Sequence, residues 1–214
     1  MNAANHPHGR EPVRFAGVPF EQARAGAILL HGRGADAADI LGLAMELGVE
    51  DVAYAAPEAA GHTWYPYSFL APVSDNEPGI SSGLSVIDSL VTRFAGAGLA
   101  GERLLLMGFS QGACLTLEYA ARHARRYGGI AGLSGGLIGP PGTPRDYSGS
   151  FDDTPVFLGC SDVDPHIPRE RVEETAEVLR RMGARVTMRL YPRFGHAVNE
   201  DEMEAVREML RALA

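Results

Sequence analysis

The chain contains no lysine. Chemistry through a lysine Schiff base or a lysine nucleophile is therefore excluded. Basic side chains are also outnumbered: 19 Lys and Arg stand against 27 Asp and Glu, a formal net charge of −8, the opposite of the footprint that nucleic-acid binding needs. Cysteine is scarce. The two present, Cys114 and Cys160, fall in a helical and a strand-like stretch, which suits small core residues in a reducing cytosol better than a disulfide framework. No apolar run approaches the length of a membrane span. Residues 1–11 are polar, include His6 and His8, and lack the apolar centre of a signal peptide. The expectation is a flexible tail over residues 1–12 and, with no Ser/Pro/Gln-rich linker, one domain over 13–214. A loose metal site at His6 and His8 is the lesser alternative. These absences point to a cytoplasmic protein with a small-molecule partner, no nucleic acid and no stable membrane insertion.

The most informative stretch is residues 103–119. An apolar run, Leu104 to Met107, meets Gly108-Phe109-Ser110-Gln111-Gly112, and Ala113, Cys114, Leu115, Leu117 and Tyr119 follow at helical spacing. Strand, abrupt turn and helix around a serine with glycines two residues either side make the nucleophile-elbow pattern of α/β-hydrolases. The turn lifts the hydroxyl off the sheet, while strand and helix backbones pass too close for a Cβ at either glycine. The helix aims its first amides at the serine, where negative charge would be stabilised.

Elsewhere, strands and helices alternate. Strand-like runs cover residues 13–20, 25–30, 52–56, 129–134, 155–160 and 185–191. Helical patterns run from Ile40 to a stop at Gly48, over 84–94 and 169–182, and onward from Asn199, an N-cap with Glu202 three residues on. Such alternation implies α/β architecture, a mostly parallel sheet covered by helices on both faces, with the site beyond the carboxyl ends of the strands. Residues 58–82 read as one long loop carrying Trp64, Tyr65, Tyr67 and Phe69. A loop so long and aromatic is expected to wall a pocket, which makes Trp64 and Tyr65 substrate-binding candidates; capping of the sheet edge is the alternative. Residues 137–150, with Gly139-Pro140-Pro141-Gly142, read as a surface loop.

A serine hydroxyl needs a base, and the base an orienting acid. In this class they follow the serine in the order acid, then histidine. His196, between the last strand and the last helix, is the preferred base; His166, two residues from the best acid, is placed at the mouth as a substrate-contact candidate. Asp162 and Asp164 both leave the sixth strand. Asp164 is preferred because Pro165 and Pro168 would fix its loop. The oxyanion hole is assigned to the backbone amides of Gln111 and of Arg33, in His31-Gly32-Arg33-Gly34. The Arg33 side chain either meets an anionic substrate or is solvated, and His31 is read as a loop brace.

Leu30-His31-Gly32-x-Gly34, Gly108-Phe109-Ser110-Gln111-Gly112-Ala113, Asp164-Pro165-x-Ile167-Pro168 and Gly195-His196 together resemble the phospholipase/carboxylesterase family, which includes acyl-protein thioesterases. That resemblance implies the α/β-hydrolase fold and hydrolysis of carboxylic esters or thioesters through an acyl-enzyme, without a cofactor. Two departures bear on substrate. Arg33 replaces the apolar residue often found between the glycines, and Trp64-Tyr65-Pro66 crowds the approach, which favours small to medium acyl esters over long-chain lipids. Cys160-Ser161 also stands where the family usually has His-Gly ahead of the acid. Acyl-protein thioesterase or lysophospholipase activity and non-catalytic ligand binding remain the alternatives. The apolar residues of the aromatic loop could line the pocket or a homodimer interface.

Overall fold

Strands β2 (Ala25–Leu30) and β3 (Val52–Pro57) are buried at every position, as strands of a sheet covered on both faces must be. With β1 (Val13–Gly17), β4 (Leu104–Phe109), β5 (Gly129–Leu133), β6 (Pro155–Ser161) and β7 (Arg185–Tyr191) they form a seven-stranded sheet. This is the architecture of a computed structural model that describes residues 6–214. Strand order is β1-β3-β2-β4-β5-β6-β7, and only the β1–β3 pair is antiparallel.

Successive side chains of a strand point to opposite faces, so the sheet divides two cores. Ile28 and Leu106 pack on one side beneath α2 (Gly79–Gly96), α3 (Gln111–Arg122) and α4 (Arg169–Arg181). Leu29 and Met107 pack on the other beneath α1 (Ala37–Met45) and α5 (Glu200–Arg211). Helices α1 and α5 both open on capping boxes, Asp36 with Asp39 and Asn199 with Glu202, which satisfy amides that an α-helix leaves orphaned at its start.

Three expectations need correction. Helix α2 begins at Gly79, inside the stretch read as loop. Its small residues serve packing rather than turning: a Cβ on Gly79 would lie 2.4 Å from the Trp64 carbonyl, and one on Gly83 would lie 2.6 Å from Leu115. The 137–150 segment is not wholly surface, since Leu137 and Ile138 are buried. Buried charges pin it there: Arg171 donates to the carbonyls of Leu137 and Gly139, and Glu118 accepts from the Ile138 amide. Finally, the flexible-tail reading fails at His8, which is only 3% exposed. Its amide donates to Ser82 Oγ and its ring spans the Ala60 amide and the Trp64 carbonyl. Residues 1–5 of that tail lie outside the described residues.

Candidate active site

Ser110 stands between β4 and α3 with φ 54° and ψ −119°. A non-glycine residue reaches such a conformation only when its surroundings over-determine it. Here the turn is held by Ser110 N–H donating to the Leu133 carbonyl, and by the Cys114 amide donating to the Ser110 carbonyl. The glycines are required by proximity. A Cβ on Gly108 would lie 2.4 Å from the Gly112 carbonyl carbon, and one on Gly112 would lie 2.2 Å from the Leu30 carbonyl oxygen, distances no packed carbon tolerates.

The loops after β6 and β7 converge on this serine. His196 Nε2 is 2.7 Å from Ser110 Oγ, and its Nδ1 is 2.7 Å from Asp164 Oδ2. The other carboxylate oxygen of Asp164 accepts from the amides of His166 and Ile167 at 2.8 and 3.0 Å. Burial by itself would raise the Asp164 carboxyl. The hydrogen bonds from His196 and from the two amides outweigh it and hold the group below its ordinary value, so it is ionised at neutral pH. With Nδ1–H donated to Asp164, the Nε2 of His196 is the acceptor that faces the serine hydroxyl.

Asp162 does not face the serine. It is exposed, and its Oδ1 accepts from the Arg193 amide at 2.7 Å. Ser161 Oγ accepts from the Gly195 amide at 3.0 Å and from the Val163 amide at 3.3 Å. Two neighbours of the acid thus hold the backbone on either side of Phe194, and with it the approach of His196. Sequence reasoning passed over Ser161; the signal was a hydroxyl at the buried carboxyl end of an otherwise apolar strand.

On the other side of the serine lies the loop after β2. Gln111 opens α3, so its N–H has no intrahelical carbonyl to meet. In the facing loop, Gly34 N–H donates to the His62 carbonyl and Ala35 N–H to Gly32, while the Arg33 N–H meets no protein acceptor among the described residues. The Arg33 side chain is exposed at the edge of the cavity but tied to the facing loop. Its guanidinium donates to the carbonyls of Tyr65, Pro66 and Tyr67 at 2.8, 2.9 and 2.7 Å. His31 braces the same region, accepting from the Ala59 amide through Nε2 and donating to its neighbour's carbonyl through Nδ1.

A cavity of about 400 Å³ opens beside Ser110 and His196, walled by Tyr65, Phe69, Cys114 and Ile167 and flanked at its mouth by His166 and Tyr67. Tyr65 and His166 therefore line it, the latter edge-on to His196 with ring centroids 4.8 Å apart. Trp64 does not line it and is no substrate contact. It is 0% exposed, buried behind the wall between the rings of His8 and His31, each 5.2 Å away. Its indole N–H donates to the His31 carbonyl. The Cys114 thiol in the cavity wall is pushed up to about 12 by burial, which keeps it protonated and a poor nucleophile.

Comparison with known proteins places the chain in a family. The model of a family described as Phospholipase/Carboxylesterase matches residues 18–214. A crystal structure of a phospholipase/carboxylesterase from Dyadobacter fermentans is 42% identical, covers 94% of this chain and 96% of that one, and superposes with a TM-score of 0.90. Acyl-protein thioesterase 1 of Gibberella zeae is 30% identical over 148 residues, 64% of this chain and 60% of that protein. The Saccharomyces cerevisiae protein of the same name is 27% identical over 69% of this chain and 64% of its own length, so the chain matches somewhat under two thirds of these curated relatives. With the family model matching nearly the whole chain, the protein belongs to the phospholipase/carboxylesterase family of α/β-hydrolases.

Proposed function

We propose that the protein is a serine carboxylesterase that hydrolyses small to medium acyl esters through an acyl-enzyme. The observation that carries this reading is the unbroken relay from Ser110 through His196 to Asp164, two contacts of 2.7 Å each, at the edge of the cavity. Ser110 Oγ attacks the ester carbonyl carbon while His196 Nε2 takes the hydroxyl proton. Asp164 stabilises the resulting imidazolium without itself taking the proton. The amides of Gln111 and Arg33 meet the charge that develops on the carbonyl oxygen. The imidazolium then protonates the departing alcohol, and a water activated by the same base releases the acid. No step calls for a cofactor.

Acyl length is argued from the cavity. About 400 Å³ lies near the small end of the roughly 300–1,000 Å³ of ligand pockets, and its walls include the buried side chains Tyr65, Phe69 and Ile167. Two free, buried cysteines suit a cytoplasmic setting. Thioester hydrolysis is the second reading, favoured by the similarity to proteins named acyl-protein thioesterase 1. The same serine, base and oxyanion donors would serve it.

Incubation with a fluorophosphonate, followed by intact mass, tests the mechanism. A single adduct on the wild type that is absent from Ser110→Ala is expected. Matched esters and thioesters graded from acetyl to palmitoyl then separate the two readings, with the highest kcat/KM expected on the short and medium esters. No adduct and no turnover would leave a ligand-binding protein on a hydrolase scaffold.

A further inference from the structure

Among the described residues ahead of β1, His8 alone is buried. It pairs with no strand. A plug of apolar surface would fill that space as well as an imidazole does. What the imidazole adds is its two nitrogens. Nδ1 lies 3.0 Å from the Ala60 amide, which must donate, so the ring is neutral and its proton sits on Nε2, 2.8 Å from the carbonyl of Trp64. The ring thereby closes the turn between residues 60 and 64. That turn contains Gly61 at φ 59° and His62 at φ 57°, and its internal backbone bonds are those of one short 3₁₀ turn, His62 N–H to Ala59 at 2.9 Å and Thr63 N–H to Ala60 at 3.4 Å.

The closure is connected to the reacting centre by a short series of hydrogen bonds. Trp64, gripped by His8 at its carbonyl, donates its own amide to Gln111 Oε1 at 2.9 Å. Gln111 Nε2 donates in turn to the Tyr65 carbonyl at 2.8 Å, the oxygen that also accepts from Arg33. The side chains of both residues assigned to the oxyanion hole are thus anchored on the backbone of residues 64 and 65, and that backbone is held from behind by His8. We propose that His8 is a positioning residue for the oxyanion hole, acting through Trp64 and the Gln111 side chain. This rests on the hydrolase reading above, because it assigns His8 a part in the rate and not only in the fold.

The consequence falls on kcat. Removing an oxyanion donor outright costs about 10²–10³, and loosening the support of one costs a part of that, about tenfold. His8→Ala, in the full chain, is expected to lower kcat on p-nitrophenyl butyrate by about tenfold with KM nearly unchanged. His8→Gln keeps a donor that reaches the Trp64 carbonyl and is expected to stay within about threefold of wild type. A merely structural role would move Tm alike in the two variants and leave kcat alone.

The only tryptophan in the chain is Trp64, which supplies a readout that needs no turnover. Protonating His8 breaks its bond from Ala60 and places a cation against the indole. Burial keeps the His8 imidazole below its ordinary value, against the backbone hydrogen bonds of Trp64 and Gly79 and the weaker pull of Glu11 on its own segment; His31 across the indole acts in the same direction as burial. His62 in the turn lies 3.3 Å from Glu58, which precedes it. On acidification the wild type should therefore show a quenching step in Trp64 emission that His8→Gln lacks, while any step from His31 persists in both.

Wild-type kcat in His8→Ala, an equal loss in His8→Gln, or a loss confined to KM would overturn the assignment and leave the hydrolase reading standing. Identical emission titrations in wild type and His8→Gln would do the same. A wild type that neither labels on Ser110 nor turns over would overturn the hydrolase reading and the assignment together, with the emission titration still reporting whether His8 docks on Trp64.

Discussion

Arg33 and Gln111 meet on one atom: the Tyr65 carbonyl oxygen accepts from the Arg33 guanidinium and from the Gln111 carboxamide, each at 2.8 Å. Arg33 comes from the loop after β2 and Gln111 opens α3 beside the serine, so this carbonyl ties the two together. It also occupies the Arg33 charge, which has the Pro66 and Tyr67 carbonyls as further acceptors. Arg33→Ala should lower kcat/KM on a short neutral ester by about tenfold, equivalent to ~1.4 kcal/mol of transition-state stabilisation. The ratio between a neutral ester and one bearing a distal carboxylate should hardly change. Steady-state kinetics on the two substrates checks both, and a loss confined to the anionic ester would mean that substrate, rather than the loop, is what Arg33 holds.

The two aspartates after β6 separate cleanly by what they touch. Asp164→Asn keeps the volume but presents an amide to His196 Nδ1, so the imidazole cannot hold its proton there; a loss of about 10⁴ in kcat is expected. Asp162→Asn retains an oxygen for the Arg193 amide and should stay within about twofold of wild type, the size of a surface hydrogen bond kept. Single-turnover rates on an activated ester compare them directly, and the opposite ranking would move the acid to Asp162.

The sharp turn at Ser110, the parallel sheet and the loop that carries Asp164 were legible because each is a local pattern with its own physics. Gly108 and Gly112 mark a close crossing, Pro165 and Pro168 a stiff loop, and the alternation of apolar runs a covered sheet. What sequence did not disclose depends on contacts between distant segments. Trp64 looks the same in sequence whether it lines a cavity or is sealed between His8 and His31. The glycines of α2 look like turn residues until Trp64 and Leu115 are seen to lie against them. A polar N-terminus with two histidines reads as tail unless the backbone groups that His8 satisfies, more than 50 residues away, are in view.

Gly112 offers a test of the elbow that does not depend on substrate. In Gly112→Ala the new methyl would sit 2.2 Å and 2.5 Å from the Leu30 and His31 carbonyl oxygens, and neither is free to move, because both lie where β2 enters the oxyanion loop. Overpacking against backbone should cost at least about 3 kcal/mol. Chemical denaturation should show the midpoint falling sharply with the slope unchanged. Gly42→Ala, with open space at the Cβ and a helical backbone, is the control and should be neutral or stabilising by up to about 1 kcal/mol.

Glu202 gives the molecule a pH dependence opposite in sign to that of its buried histidines. One carboxylate oxygen accepts from the Asn199 amide, but the other is buried beside Gly159 with no donor among the described residues. Burial therefore raises the group from 4.5 to about 7. Between those values the native state retains a proton that the unfolded chain has released, so stability falls as pH rises through the window. Above it the whole cost is present, roughly 3 kcal/mol at about 1.4 kcal/mol per unit. His8 and His31, lowered chiefly by burial, work the other way: the unfolded chain binds their protons first, and stability is lost as pH falls below the ordinary imidazole value of 6.5. Glu202→Gln keeps an acceptor for the Asn199 amide and removes only the acidic term. Its stability relative to wild type, followed by denaturant unfolding from about pH 5 to pH 9, should rise by up to roughly 3 kcal/mol and level off above about pH 7. Because the histidine contributions are common to both proteins they cancel in that difference. A flat difference curve would mean that the buried oxygen finds a donor and stays ionised throughout.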